Sequence, residues 1–209
     1  MHDVDPNATL PAYRFETERL VLRPWKPQEV HVLIELVRIS MDRLKPWFPW
    51  AQTVPSVNHQ MAWIRKVRAF YDTDVDYVLG MFLQDGTPIG GAGIHLRQGP
   101  GAAEFGYWIA TPWEGKGLVT ESTAGLTRVA LTVLGYERGV IRCDSINHRS
   151  SAIPIRLGYR KIGRAMERGS PDDIEREIDT YELLASELAS SPSASAGVSA
   201  WDGAGRRMH

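Results

Sequence analysis

A glycine–lysine–glycine turn lies at the centre of the stretch GYWIATPWEGKGLVTES, residues 106–122. The residues before the turn are typical of a strand, and those after it are typical of the first turns of a helix. A helix N-terminus presents unpaired N–H groups and about half a positive charge, so it binds anions without a charged side chain. Gly115 and Gly117 tolerate unusual dihedral angles and let a ligand approach closely. The turn is therefore interpreted either as a phosphate-binding or pyrophosphate-binding loop or as a plain strand-to-helix connection.

Two nucleotide-binding motifs are excluded by the residues around the turn. A Walker loop requires Ser or Thr directly after its lysine, and here Lys116 is followed by Gly117. A dinucleotide fingerprint requires a third glycine three residues after the second, where Thr120 stands. The strand before the turn also belongs to a predicted hairpin meander and not to a parallel βαβ unit. Neither of these two nucleotide-binding motifs is therefore present, and the turn is left as another kind of phosphate-binding loop or a plain connection.

Metal and disulfide chemistry have little support in the sequence. Cys143 is the single cysteine, so an intrachain disulfide is excluded. Its alternation with Ile141 along a predicted strand favours an inert position in the core. The 6 histidines show no metal-ligand spacing, and no metal site is predicted.

The spacing of apolar residues predicts three main helices. The first follows Pro27, where five apolar residues fall on one helical face, and the second covers about 57–72. The third follows the glycine turn, from 118 to 134, and ends at Gly135, a residue type typical of helix C-caps. The segment between the first two helices reads LKPWFPWA and is too rich in proline and tryptophan for either a helix or a strand.

Strands are predicted on both sides of the glycine turn. One strand ends at Pro24, an antiparallel meander covers 76–84, 89–98 and 102–110, and a further strand covers 139–146. A short helix and two closing strands follow. This order predicts one mixed α/β domain, with a mostly antiparallel central sheet flanked by helices and a strand–loop–helix–strand crossover after the meander.

The domain is assigned to residues 15–188. Residues 1–14 are predicted to be a flexible N-terminus. Residues 189–209 are rich in Ser, Ala and Gly and carry few apolar side chains, so they are predicted to be a disordered tail.

The charge balance of the chain gives no reason to expect a polyanionic partner. The 209 residues contain 24 Lys plus Arg and 25 Asp plus Glu, for a formal net charge of -1. Neither nucleic acid nor a membrane surface is therefore a predicted partner. Apolar runs stay well short of the ~20 residues that span a bilayer, and the N-terminus lacks a signal-peptide pattern. The sequence favours a cytoplasmic protein.

Four segments of the chain resemble the GNAT N-acetyltransferase superfamily. The segments are ETERLVLRPW and LKPWFPWA near the start, EGKGLVTES after FGYWIATP, and NHRSSAIPIRLGYRKIG at 147–163. The first two are similar to the RimJ/RimL-type branch, whose known members acetylate the N-termini of ribosomal proteins. The resemblance covers about residues 15–185 and implies the GNAT fold, with two splayed strands that hold acetyl-CoA as the acyl donor.

The resemblance also implies which residues bind the donor. Backbone groups of Ile109 and Ala110 would pair with the pantetheine amides, and the Asn147 side chain would hydrogen-bond the same arm. Asn147 is equally interpreted as a turn residue or helix cap. The pyrophosphate would lie on the loop and helix start formed by Gly115, Lys116, Gly117, Leu118, Val119 and Thr120. The family pattern is not followed at Glu114 and Val119; Glu114 is expected to point to solvent.

The catalytic residues are assigned by the same resemblance. Pro154 stands where many members carry a tyrosine acid, and Ser150 corresponds to the serine that RimL-like members offer to the departing thiolate. Ser150 is alternatively a helix N-cap. The base position of RimL-like enzymes matches Gly169, so Glu167 and Glu104 are the candidate bases. Each is alternatively a surface carboxylate, and a water chain is a further option.

The acceptor is left open between several classes. Trp47 and Trp50 either wall an acceptor groove or belong to the core or a dimer contact, and a homodimer is implied by the family alone. The resemblance to the RimJ/RimL-type branch implies a protein N-terminal α-amine as the leading acceptor. An α-amine, with a pKa of ~7.8, also needs less help to lose its proton than lysine, with a pKa of ~10.4. The alternatives are a small amine, such as a polyamine, amino acid or antibiotic, and a CoA-binding module without activity.

Overall fold

The computed structural model describes residues 11–168 and 174–209. The predicted flexible N-terminus, residues 1–14, falls largely outside these ranges, as does Gly169. Where described, Ala12 is buried and Arg14 already belongs to a strand.

The described residues form four α-helices and nine strands, joined by short 3-10 turns. The helices are α1 (Val30–Leu44), α2 (Val57–Asp72), α3 (Leu118–Thr132) and α4 (His148–Arg156). The first five strands are β1 (Arg14–Glu16), β2 (Leu20–Arg23), β3 (Tyr77–Leu83), β4 (Pro88–His95) and β5 (Ala102–Ile109). The remaining strands are β6 (Arg138–Asp144), β7 (Arg160–Glu167), β8 (Arg176–Leu184) and β9 (Ser199–Trp201). No helix in the described ranges is long and apolar enough to cross a membrane.

A single sheet carries the strands in the order β7-β8-β6-β5-β4-β3-β2-β1-β9. β5 and β6 are parallel and are connected through α3, while the other neighbours in this sheet are antiparallel. One hydrophobic cluster, which includes Phe105 and Leu126, joins the sheet to α3, and a second, which includes Leu33 and Phe82, joins it to α1. The predicted fold class, a mixed and mostly antiparallel sheet between helices, is confirmed.

The two parallel strands separate soon after they meet. β5 pairs with β6 only where Ala102, Ala103 and Glu104 face residues 138–140. Beyond that point β6 continues along β8 as far as Asp144, whereas β5 continues along β4 as far as Ile109. The predicted splay between these strands is therefore present, and it opens a gap in the middle of the sheet.

The predicted disordered tail is wrong. β9 pairs with β1, with Ala200 opposite Phe15, and Ala200 is 0% exposed. The Ser193 hydroxyl donates to the Leu157 carbonyl. The prediction failed because backbone hydrogen bonds and small side chains order this segment, and a scale of apolar content does not register either one. The ordered domain therefore continues past residue 188.

Candidate functional site

The glycine turn between β5 and α3 uses both of its glycines. Gly115 has φ 74° and Gly117 has φ 75°, in the left-handed region that strongly favours glycine. Nothing lies within 4 Å of the position that a Cβ on Gly115 would occupy. The turn is therefore an open loop whose shape the two glycines permit.

The N-terminus of α3 lacks a side-chain cap. Gly117 is the N-cap residue and has no side chain, and the first bond within the helix runs from the Glu121 N–H to the Gly117 carbonyl. The N–H groups of Leu118, Val119 and Thr120 consequently have no acceptor within the helix. A loop with free amides at a helix N-terminus fits a phosphate or pyrophosphate group. Leu118 itself is buried, so its contribution to such a site is limited to its backbone.

Positive side chains surround this loop. Arg19 donates to the Lys116 carbonyl at 2.9 Å and forms an ion pair with Glu121 at 2.6 Å. The Lys116 ammonium lies 4.4 Å from the centroid of the Trp113 ring. These contacts fix the loop from outside and place two cations beside it, and Lys116 as a phosphate contact stays a prediction.

Glu114 does not point to solvent as expected. Its carboxylate pairs with the Arg149 guanidinium at 2.5 Å, which connects the loop to α4. The ion pair neutralises the negative charge of Glu114, which would otherwise oppose the binding of an anion in the loop. The sequence did not show this partner because Arg149 lies on another helix.

The backbone groups beside the splay are only partly available. The Ala110 N–H donates to the Ile89 carbonyl at 2.8 Å, and the Ala110 carbonyl accepts from Trp113 at 2.9 Å. The prediction that Ala110 offers free backbone groups is therefore wrong. Along β5, successive residues direct their backbone N–H and carbonyl groups alternately toward β4 and away from it. Because Ala110 bonds toward β4, those of Tyr107 and Ile109 point toward the gap. Ile109 thus keeps the geometry that was expected of it.

α4 begins on the other side of the gap, at Asn147. The Asn147 side-chain oxygen accepts from the Ser150 N–H at 3.2 Å, so Asn147 is the helix N-cap. Ser150 is therefore not the cap, and its hydroxyl is left for another partner. The Asn147 amide nitrogen makes no hydrogen bond to the described part of the chain, so it can still donate to a ligand.

Ser150 is paired with Tyr107, a residue that the sequence analysis missed. The Tyr107 hydroxyl lies 3.1 Å from the Ser150 carbonyl oxygen and 3.2 Å from Ser150 Oγ. Burial raises the pKa of the Tyr107 phenol, despite its hydrogen bond to Ser150, so the phenol stays neutral and able to donate. The alternation of side chains along β5 could have indicated Tyr107, because it lies on the same face of the strand as Ile109, a predicted donor-binding residue.

Cys143 lies next to this pair. The residue is 8% exposed and lines the same cavity as Ser150. Burial raises the pKa of the thiol to about 11. The expectation of a buried position holds, but the residue borders the site.

Alkylation of Cys143 by iodoacetamide is expected to be at least about 100-fold slower at pH 8 than that of an exposed thiol. With a pKa of about 11, roughly one thiol in a thousand is ionised at this pH, and only the thiolate reacts. Mass spectrometry of Ser195→Cys, which adds an exposed cysteine, measures both rates in one molecule. Equal rates at the two positions would contradict the inference.

The two candidate carboxylate bases are already bound to arginines. Glu104 is 4% exposed and accepts from Arg97 at 2.5 and 3.0 Å and from Gln98 at 2.6 Å. Burial alone would raise the pKa of Glu104, but these hydrogen bonds hold it below its ordinary value. Glu167 forms an ion pair with Arg142. The lowered pKa of Glu104 makes it a weak proton acceptor, and the Glu167 carboxylate is occupied by its arginine.

A cavity of about 810 Å³ is lined by residues on both sides of the splay, among them Tyr107 of β5 and Cys143 of β6. Ser150, Cys143 and Asn147 are part of its lining, together with aromatic side chains on the α1–α2 side of the sheet. The aromatic residues are Trp25, Trp47, Phe48, Trp50, Trp63, Phe70 and Trp108. Trp47 and Trp50 therefore lie at the cavity wall, and Trp50 is 49% exposed. In the described residues, no three His, Cys, Asp or Glu side chains are placed to hold a metal ion.

Known proteins are similar to this chain in sequence. A sequence model described as "Acetyltransferase (GNAT) domain" matches residues 19–160. The Bacillus subtilis (strain 168) protein named "Putative ribosomal N-acetyltransferase YdaF" is 30% identical over 169 residues, 80% of this chain and 92% of that protein. The ribosomal protein uS5-alanine N-acetyltransferase of Escherichia coli (strain K12) is 26% identical, covering 77% and 84% of the two chains.

The fold is also found among solved structures. Mycobacterium smegmatis RimJ in complex with CoA-disulfide superposes with a TM-score of 0.75 at 21% identity, covering 88% of this chain and 91% of that one. This likeness concerns the arrangement of the helices and the sheet.

Proposed function

The chain belongs to the GNAT acetyltransferase family and is an acetyl-CoA-dependent N-acyltransferase, and we propose that its acceptor is the α-amine of a protein N-terminus. The bound donor supplies a thioester carbonyl, which a neutral amine attacks with release of the CoA thiol. The residues of this chain must hold the donor, position the amine and manage two protons.

Donor binding is assigned to the glycine loop and the splay. The free amides of α3 and the loop from Gly115 would hold the pyrophosphate, and the gap beside Ile109 would receive the pantetheine arm. The Asn147 amide nitrogen would donate to the same arm. Ser150, whose Oγ is 3.2 Å from the Tyr107 hydroxyl, would lie at the inner end of this path and protonate the departing thiolate.

The charges of the cavity support a peptide acceptor over a polyamine. Four carboxylates line the cavity, and each is paired within the described residues: Asp76 with His95, Glu104 with Arg97, Asp144 with Arg176, and Glu167 with Arg142. A polycation would therefore find three of these four carboxylates already neutralised by an arginine, and the fourth, Asp76, hydrogen-bonded to the His95 ring. The exposed Trp50 at the rim suits the apolar parts of a peptide, and the similarity to ribosomal N-acetyltransferases points the same way.

Release of CoA thiol from acetyl-CoA tests the acceptor. Peptides that begin with Ala or Ser would be compared with the same peptides carrying a blocked N-terminus, and with spermidine and free amino acids. Turnover that requires a free N-terminus is expected. Turnover on the small amines alone would move the function to a small-molecule acetyltransferase. Acetyl-CoA binding with no turnover on any amine would indicate a CoA-binding module without activity.

A further inference from the structure

A histidine and an aspartate form a pair in the cavity that the residues assigned so far leave unused. His95, the last residue of β4, has Nδ1 2.7 Å from Oδ1 of Asp76, which lies just before β3. Both side chains line the cavity, and that of His95 is 18% exposed. The pair is sheltered but reachable from the acceptor side.

Two glycines make room for the imidazole ring on the sheet. A Cβ on Gly93 would lie 2.8 Å from His95 Nε2, and a Cβ on Gly106 would lie 2.7 Å from the same atom. A side chain at either position would displace the ring. His95 Nε2 therefore lies over β5, the strand that borders the splay.

His95 differs from the two candidate carboxylate bases in the residue that it is paired with. Asp76 accepts the Nδ1 proton when the ring is neutral, which leaves a lone pair on Nε2 and stabilises the ring once Nε2 is protonated. Glu104 and Glu167 instead each bind an arginine through their carboxylate oxygens. An imidazole held by a carboxylate is a common general base in the neutral pH range.

The other charges near His95 leave this assignment intact. Glu104 lies opposite His95 in the β4–β5 register, and Arg97 with Gln98 binds its carboxylate. From α2, Lys66 and His59 line the same cavity. The carboxylate that contacts the ring directly is that of Asp76.

We propose that His95 accepts the proton of the acceptor ammonium and that Asp76 positions its ring. This inference rests on the proposed function, since it requires an amine acceptor. The ammonium gives one proton to Nε2, the neutral amine forms the C–N bond, and the C–S bond breaks. Ser150 donates its hydroxyl proton to the CoA thiolate, which leaves as the thiol. The second amine proton leaves the new amide nitrogen and restores the Ser150 hydroxyl. The imidazolium releases its proton to solvent.

The test is the pH dependence of kcat/KM for His95→Gln and Asp76→Asn on the amine that the wild type turns over best. At pH 7, His95→Gln is expected to lose about 10²-fold and Asp76→Asn about tenfold. Both defects are expected to shrink above pH 9, where the acceptor is already neutral, and added imidazole should restore part of the activity of His95→Gln. His31→Gln, an exposed position on α1, is the control and should match the wild type.

The outcomes separate this inference from the proposed function. A loss that is equal at all pH values, or no loss, would overturn the role of His95 while wild-type turnover of free N-terminal peptides stands. Wild-type turnover on small amines alone would overturn the peptide acceptor, and the same variants would then test His95 on the small amine. No turnover on any amine would overturn both. Acetyl-CoA affinity within twofold of the wild type shows that each variant is folded.

Discussion

Ser150→Ala is expected to lower kcat by about 10²-fold while the affinity for acetyl-CoA changes by less than twofold. The hydroxyl lies in the cavity, 3.2 Å from the Tyr107 phenol, and is not consumed as a helix cap because Asn147 holds that position. Its loss would remove the proposed proton donor for the departing thiolate, an interaction needed only in the transition state. Stopped-flow or steady-state release of CoA thiol measures the effect.

The neighbouring serine supplies the control for this prediction. Ser151 follows on the same helix and donates to the His148 carbonyl, so Ser151→Ala changes α4 without changing the contact to Tyr107. Activity near that of the wild type is expected. An unchanged kcat in Ser150→Ala would remove Ser150 from the reaction. A drop of about tenfold in Tyr107→Phe would show that the phenol supports the serine.

Gly117→Glu is expected to weaken acetyl-CoA binding by about 10- to 100-fold, or roughly 1.4 to 2.7 kcal/mol. The substitution adds a carboxylate among the free amides of α3 and places a side chain at φ 75°. Both effects oppose a bound pyrophosphate. Isothermal titration calorimetry with acetyl-CoA or CoA measures the change.

Two further variants separate charge from backbone strain. Gly117→Ala introduces the strain without the carboxylate, and a smaller loss of about fivefold is expected. Gly99→Glu places the same side chain at φ 82° in an exposed turn with nothing within 4 Å, and binding should remain at the wild-type level. Wild-type affinity in Gly117→Glu would mean that the pyrophosphate binds elsewhere.

Local patterns were sufficient for much of the fold and for the glycine loop. The apolar spacing gave α2 over 57–72 and α3 from Leu118, and the paired glycines gave a turn whose φ values are both positive. These features depend on residues close together in the chain, where periodicity and turn chemistry are informative. The splay between β5 and β6 was predicted from the family resemblance alone. Local patterns do not show it, because these two strands are connected only through α3.

Features that depend on distant partners were not predictable in the same way. Glu114 and Arg149 are paired because α4 lies beside the loop, and Tyr107 reaches Ser150 across the splay. Both contacts depend on the relative placement of elements, which residue types alone do not encode. His95 was not predicted for a related reason. Its partner Asp76 and the two glycines that leave room for its ring lie on three different segments.

The pairing of β9 with β1 has a consequence for the order in which the protein forms during synthesis. Arg14 faces Trp201, so nearly the whole chain separates the two partners of this ladder. The β1 edge therefore stays open on the nascent chain until residues 199–201 have left the ribosome. An open edge offers unpaired backbone groups to any other strand, so this is the interval in which the chain is most exposed to association with a second copy. A shortened chain that stops before Ser199 would keep that edge open permanently.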